Sequence, residues 1–206
     1  MLLYLSSQKF GNNISVLKEW ILKHNNKILL IFNALDAKSK EKIDNNVQED
    51  IKLLEEIGFD VEVVDLRGYF GYAEKLKNDF IKYNAYCIMG GNVFILRQAM
   101  KYSGLDIFLQ DVSHNKDYLY IGYSAGSCIL SKDLKVLDII DEPIKFYERD
   151  ELIYEGLNLI NYTFIPHYKS NYHKVKMVDE AVEKCKKGNI DFIAVKDGEV
   201  IIEELS

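Results

Sequence analysis

The chain has 206 residues, of which 48% are hydrophobic and 28% are charged, with a formal net charge of −6. This length suits one domain with a sizeable core, and we treat residues 1–206 as a single domain. The acidic balance and the scattered lysines argue against a nucleic-acid or membrane partner. No apolar run approaches the ~20 residues that span a bilayer, and no basic leader precedes the first apolar run, so we predict a cytoplasmic protein.

The three cysteines support the same location. Cys87, Cys128 and Cys185 form no C-x-x-C motif, and each lies in or beside an apolar run. Buried free thiols in a reducing compartment are the expected state. The histidines and cysteines lack metal-ligand spacing, and no phosphate-loop or dinucleotide motif occurs, so we expect neither metal nor cofactor.

Strand-like and helical segments alternate over the first two-thirds of the chain. Short apolar runs predict strands at residues 2–6, 27–32, 60–65, 85–89 and 118–123. Apolar residues at helical spacing predict helices at residues 14–24, 41–57, 72–83, 93–102 and 105–112. This alternation predicts an α/β fold with three layers, in which helices cover both faces of a mostly parallel, doubly wound sheet.

The pattern is looser in the last third of the chain. We predict a short strand at 134–140, a solvated acidic loop at 148–151, a strand at 162–165 and a helix at 174–187. Asp197-Gly198 separates two apolar runs, at 192–195 and 199–202. An Asp-Gly pair in this setting predicts a C-terminal hairpin.

Residues 122–126 read Gly-Tyr-Ser-Ala-Gly, with a strand predicted before them and a helix after them. This is the G-x-S-x-G pattern of a nucleophile elbow, which places a serine on a strained turn facing the helix N-terminus. A side chain at Gly122 or Gly126 would collide with a neighbouring element. A plain corner with an N-capping serine fits the pentapeptide equally well.

Four features follow predicted strands: the Gly-Gly-Asn run at 90–92, Ser124, His167 and Asp197. Because ligands bind at the carboxyl ends of parallel strands, these groups are expected at one edge of the sheet. A hydroxyl, an imidazole and a carboxylate together are the groups that acyl transfer requires. Taken singly, His167 reads as a loop residue and Asp197 as a turn residue.

The same motifs resemble a known family. Gly-Gly-Asn-Val-Phe-x-Leu at 90–96, the elbow at 122–126, Ile-Pro-His-Tyr at 165–168 and Val-Lys-Asp-Gly at 195–198 follow one another with similar spacing. In this the chain is similar to the peptidase E (aspartyl dipeptidase) serine peptidases, which have the class I glutamine amidotransferase-like fold. Met89 and Val93 depart from the family pattern. So does Asp197, because other members of the family carry Glu at that position.

The resemblance implies a role for each motif. Those roles are nucleophile for Ser124, general base for His167, third triad member for Asp197, oxyanion hole for the amides of Gly91 and Ala125, and substrate binding for Asn92. Whether Asp197 or another acid such as Glu199 orients the imidazole stays open. Cys128, one helical turn after Ser124, is interpreted as packing.

We therefore predict a serine peptidase, monomeric or homodimeric, that hydrolyses small peptides, including dipeptides with an N-terminal Asp. An Asp preference would need a cation, for which Arg67, Arg97 and Lys169 are candidates. The alternatives are a cyanophycinase-like hydrolase, an esterase, or a non-catalytic binding protein on the same scaffold. An amidotransferase is disfavoured because that fold normally has Cys at the elbow. The sequence leaves open whether the loop at 141–157 closes over the site.

Overall fold

A computed structural model describes residues 1–147 and 152–205, so the loop predicted at 148–151 lies outside the described residues. The strands are β1 (Leu2–Ser6), β2 (Lys27–Ile31), β3 (Asp60–Val64), β4 (Ala85–Ile88), β5 (Leu119–Tyr123), β6 (Thr163–Ile165), β7 (Phe192–Ala194) and β8 (Val200–Glu204). The helices are α1 (Ile14–Lys23), α2 (Lys40–Ile57), α3 (Ala73–Phe80), α4 (Val93–Ser103), α5 (Leu105–Val112), α6 (Ala125–Cys128) and α7 (Val175–Gly188).

Six of these strands form the main sheet, in the order β3-β2-β4-β5-β1-β8. The first five are parallel to their neighbours, and β8 is antiparallel to β1. The carboxyl ends of β2, β4, β5 and β1 therefore lie at one edge of the sheet. The predicted three-layer, mostly parallel α/β fold is confirmed.

Alternate residues of the central strands pack into two separate cores. Tyr4 of β1 and Leu30 of β2 belong to the core shared with α1 and α2, whereas Leu5 and Ile31 belong to the core shared with α3, α4 and α5. Parallel strands buried on both faces are expected to read as continuous apolar runs, as these do. The helices therefore hold the central strands from both sides.

The predicted C-terminal hairpin is wrong. The turn itself forms, with the amide of Glu199 donating to the carbonyl of Lys196 at 3.0 Å. However, β7 pairs in parallel with β6 in a separate two-stranded sheet, and β8 pairs with β1. Long-range pairing thus outcompetes the local hairpin, because β1 and β6 each offer an edge to one of the two strands.

The strand predicted at 134–140 is also wrong, because residues Lys135–Ile139 form a 3₁₀ helix. Leu134, Leu137 and Ile140 are buried at three-residue intervals, which fits a helical turn rather than a strand. At the start of this turn, the carboxylate of Asp133 accepts the amide of Lys135 at 2.7 Å. The segment runs along α7 beside the edge where the candidate site lies.

Membrane-spanning helices and metal-binding clusters are both absent from the described part of the chain. Across residues 1–147 and 152–205, none of the helices is both long enough and apolar enough to cross a membrane. Within those ranges, His, Cys, Asp and Glu side chains form no group of three or more that could hold a metal ion.

Candidate active site

Ser124 lies directly after β5, at the sheet's carboxyl edge. Its backbone has φ 50° and ψ −116°, a conformation that non-glycine residues adopt rarely. The Ser124 amide donates to the carbonyl of Ser6 at 3.1 Å, and its carbonyl accepts the amides of Ser127 and Cys128 at 2.9 Å. Hydrogen bonds on both sides thus hold this strained turn between β1 and α6.

The two elbow glycines allow the close approach of backbone segments. A Cβ atom on Gly126 would lie 2.1 Å from the carbonyl oxygen of Ile88 in β4. One on Gly122 would lie 2.5 Å from the carbonyl oxygen of Gly126. Larger residues at these positions would push α6 away from the sheet, so the interpretation of the G-x-S-x-G glycines as contact points agrees with the structure.

The Gly-Gly-Asn run follows β4 and begins α4. Gly91 has φ 152°, and a Cβ atom there would lie 2.3 Å from the carbonyl oxygen of Ala34. The Asn92 side-chain oxygen caps α4 by accepting the amides of Phe94 and Ile95 at 2.9 and 3.1 Å. Its amide nitrogen donates to the carbonyl of Glu142 at 2.8 Å. Asn92 therefore caps α4 and ties it to the loop at 142, and substrate binding by Asn92 stays a prediction.

His167 and Asp197 reach the same edge from the small β6–β7 sheet. His167 follows β6, has φ 62°, and is nearly buried. Its ring stacks on Tyr172 with centroids 4.0 Å apart. Asp197 follows β7, and its amide donates to the hydroxyl of Ser170 at 2.8 Å.

The structure brings the three predicted side chains together. His167 Nε2 lies 3.3 Å from Ser124 Oγ, and His167 Nδ1 lies 2.7 Å from Asp197 Oδ1. A proton on Nδ1 is directed at the carboxylate, so Nε2 presents a lone pair to the hydroxyl. This is the arrangement in which an imidazole can remove a proton from a serine.

The backbone amides of Gly91 and Ala125 are the two candidates for an oxyanion hole. Over the described part of the chain, the amides of Gly91 and Ala125 donate to no protein acceptor. Ala125 is the first residue of α6, where helix amides are normally unpaired. The oxyanion-hole assignment of these amides stays a prediction.

Ser124 and His167 line a small cleft with a cavity volume of about 10 Å³, room for about one water molecule. Its other walls are mainly apolar, from Val93, Leu137, Ile140, Pro166 and Tyr172.

Cys128 and Asp141 also line the cleft. Burial raises the pKa of the Cys128 thiol well above its usual value, which disfavours a thiolate. Burial also raises the pKa of Asp141, although the amide of Val93, 3.0 Å from its Oδ2, and the Lys174 ammonium oppose this shift. Asp141 thus places a carboxyl group in a mainly apolar wall.

None of the three predicted cations belongs to the lining of this cleft. Arg67 pairs with Asp65, with 2.6 Å between Nη2 and Oδ2, and Arg97 pairs with Asp106 at 2.9 Å. Lys169 lies over the ring of Tyr168. Lys174, which is 3.4 Å from Asp141 Oδ1, is a cation at the margin of the cleft.

Sequence reasoning missed Ser7, which lies directly after the strand predicted at residues 2–6. Its hydroxyl donates to Asp197 Oδ1 at 2.6 Å and accepts the amide of His167 at 2.7 Å. The available signal was its place at the carboxyl end of β1, the criterion that had selected the other candidates. Its partners are 160 and 190 residues away in sequence, so no local pattern connects them.

A parallel α/β sheet with a strained serine at its carboxyl edge, facing an imidazole, defines the class of serine hydrolases. The sequence profile of Peptidase family S51 matches residues 2–204. The chain belongs to this family, the peptidase E family, and it is a serine-type peptidase.

Individual relatives agree with this assignment. An uncharacterized peptidase of Listeria monocytogenes is 32% identical over 180 residues, covering 82% of this chain and 83% of that protein. An uncharacterized peptidase of Listeria innocua is 33% identical over 175 residues, covering 80% of this chain and 79% of that protein. These relatives match most of the chain rather than the elbow alone.

Solved structures share the fold. A crystal structure of a protein designated peptidase E from Listeria monocytogenes superposes with a TM-score of 0.76 and 24% identity, covering 100% of this chain and 98% of that one. The structure of a peptidase from an acI-B1 Actinobacterium superposes with a TM-score of 0.68 and 15% identity, covering 98% of this chain and 83% of that one.

Proposed function

We propose that this peptidase hydrolyses small peptides with Ser124 as nucleophile, His167 as general base and Asp197 as the group that orients the imidazole. The observation that carries the proposal is the chain of contacts from Oγ to Nε2 and from Nδ1 to Oδ1, at 3.3 and 2.7 Å. A serine hydroxyl needs such a base because it is too weakly acidic to attack an amide unaided.

In this mechanism, Oγ attacks the carbonyl carbon of the scissile bond while its proton moves to Nε2. The oxygen of the tetrahedral intermediate accepts hydrogen bonds from the amides of Gly91 and Ala125. When the C–N bond breaks, His167 returns the proton to the leaving amine. Water, activated by the same imidazole, then releases the acyl group from Ser124.

Dipeptides and other short peptides are the substrate class that the family resemblance implies. An N-terminal Asp is the preference that the family resemblance implies. The lining supplies the Asp141 carboxylate, with Lys174 at its margin, so substrate charge is the property to vary. Hydrolysis of Asp-X, Ala-X and Lys-X dipeptides, measured as release of free amino acid, ranks acidic, neutral and basic N-terminal residues as substrates.

Covalent labelling tests the nucleophile assignment. We expect a fluorophosphonate to form one adduct, located by peptide mass spectrometry on Ser124, because the imidazole activates that hydroxyl. A folded protein that stays unlabelled would favour the non-catalytic binding protein, and an adduct at another serine would contradict the assignment.

Gly91→Ala tests the oxyanion hole. The new Cβ atom would collide with Ala34, so the loop must shift and move the Gly91 amide. We expect kcat to fall about 10²- to 10³-fold with little change in KM, measured on the best dipeptide. Gly71→Ala is the matched control, because Gly71 also has a positive φ, of 82°, but a Cβ atom added there would have no neighbouring atom within 4 Å. Equal kcat losses in both variants would contradict the role.

We propose a cytoplasmic enzyme, monomeric or homodimeric, whose partner is a small peptide rather than a nucleic acid. The three cysteines are free and buried, which suits a reducing compartment. The net charge of −6 gives no support to a polyanionic partner.

A further inference from the structure

The Ser7 hydroxyl is the meeting point of the imidazole and carboxylate segments. Ser7 is fully buried. Its oxygen lies 2.6 Å from Asp197 Oδ1, 2.7 Å from the amide nitrogen of His167, and 3.4 Å from His167 Nδ1. It therefore touches both the backbone of the base and the carboxylate that orients the base, although it belongs to neither segment.

The direction of the Ser7 hydrogen bond follows from its partners. The His167 amide can only donate, so it occupies a lone pair of the Ser7 oxygen. The single hydroxyl hydrogen then donates to Asp197 Oδ1, the same oxygen that lies 2.7 Å from His167 Nδ1. Two donors fix the orientation of this carboxylate, and the carboxylate in turn keeps the imidazole proton on Nδ1.

The backbone of His167 also depends on Ser7. With φ 62°, His167 has a left-handed conformation that is uncommon for a residue with a side chain. Its amide is buried and has the Ser7 hydroxyl as its hydrogen-bond acceptor. Loss of that acceptor leaves a buried donor unsatisfied, which favours a rearrangement of the turn.

The loop that carries Ser7 is anchored to the elbow strand. Lys9 Nζ lies 2.6 Å from Asp50 Oδ1, and the Asp50 side chain is fully buried. The hydroxyl of Tyr123, the residue before Ser124, donates to Asp50 Oδ2 at 2.6 Å. The Ser6 hydroxyl also donates to the carbonyl of Lys9 and tightens the turn. Ser7 is thus held in a fixed relation to the nucleophile.

We propose that Ser7 is a positioning residue of the peptidase reaction: its hydroxyl holds Asp197 and the backbone of His167 so that Nε2 faces Ser124 as an acceptor. This inference rests on the proposed function. It assigns Ser7 no contact with the substrate, so its effect belongs to kcat rather than to KM.

Ser7→Ala tests this role against Ser103→Ala, which removes an equally buried hydroxyl from the junction of α4 and α5. We expect Ser7→Ala to lower kcat about 10- to 100-fold with KM unchanged, as misplaced catalytic groups do. Ser103→Ala should leave kcat unchanged. If Ser7→Ala does not fold, Ser7→Cys keeps the size of the side chain but is a weak donor, and the same loss is expected.

A second measurement is independent of turnover. NMR of isotope-labelled histidine reports the tautomer of His167, one of only four histidines, with His167→Gln identifying its signals. We expect a single Nδ1–H tautomer in the wild-type protein and in Ser103→Ala, and a mixture of tautomers in Ser7→Ala. A single Nδ1–H tautomer with wild-type kcat in Ser7→Ala would overturn the proposal. Tautomer mixing in a protein that cleaves no peptide would support the positioning role and refute the peptidase reaction.

Discussion

Ser124→Ala is expected to lower kcat about 10⁶-fold on any peptide that the wild-type enzyme cleaves, with substrate binding retained. Without Oγ, the imidazole has no hydroxyl to deprotonate, and only the cleft and its amides still act on the substrate. The measurement is single-turnover peptide hydrolysis, with binding followed by calorimetry. Thermal unfolding should be little changed, because the elbow is held by backbone hydrogen bonds of Ser124.

Cys128→Ala discriminates between the two nucleophilic residues in the cleft. The thiol is buried, its Sγ lies 3.4 Å from the carbonyl oxygen of Phe164, and its raised pKa disfavours the thiolate. We therefore expect this variant to retain turnover. Activity that survives Ser124→Ala but disappears in Cys128→Ala would reverse the assignment.

Asp197→Asn is expected to lower kcat about 10⁴-fold, the loss that follows when a triad carboxylate becomes an amide. The amide can donate to Nδ1, which stabilises the tautomer with its proton on Nε2. That tautomer cannot accept the proton of Ser124. Steady-state kinetics on the wild-type substrate, with circular dichroism to confirm folding, measures this effect.

Glu199→Gln is the matched control, because Glu199 is the neighbouring acid that the sequence left as a competitor. Its carboxylate accepts the amide of Lys196 at 2.9 Å, inside the turn. We expect only a small change in kcat. A large loss in Glu199→Gln combined with normal turnover in Asp197→Asn would transfer the orienting role to Glu199.

The candidate residues were predictable because each follows a strand in a parallel arrangement. Ser124 also carries a local signature, the two glycines that permit close packing. His167 and Asp197 have no such signature, and their selection depended on the expectation that strand ends converge. The distances from His167 to both partners agree with that convergence, whereas the roles of the three residues stay predictions.

What the sequence could not supply were contacts decided by competition between distant segments. The Asp-Gly turn at 197–198 favours a hairpin locally, but β8 gains a longer pairing with β1, and β7 pairs with β6. Ser7 illustrates the same limit, since its hydroxyl contacts His167 and Asp197 only when the segments after β6 and β7 reach the end of β1. Local propensity describes a segment, whereas these contacts depend on which edges other segments leave open.

The separation of β6 and β7 from the main sheet has a consequence for synthesis of the chain on the ribosome. The hydroxyl of Ser124 emerges with the first five strands, whereas the imidazole of His167 and the carboxylate of Asp197 emerge later, after β6 and β7. A nascent chain at that stage therefore carries the proposed nucleophile without the proposed base. Only a chain in which β6 and β7 have docked holds all three groups together, so the proposed triad assembles only after these two strands are in place.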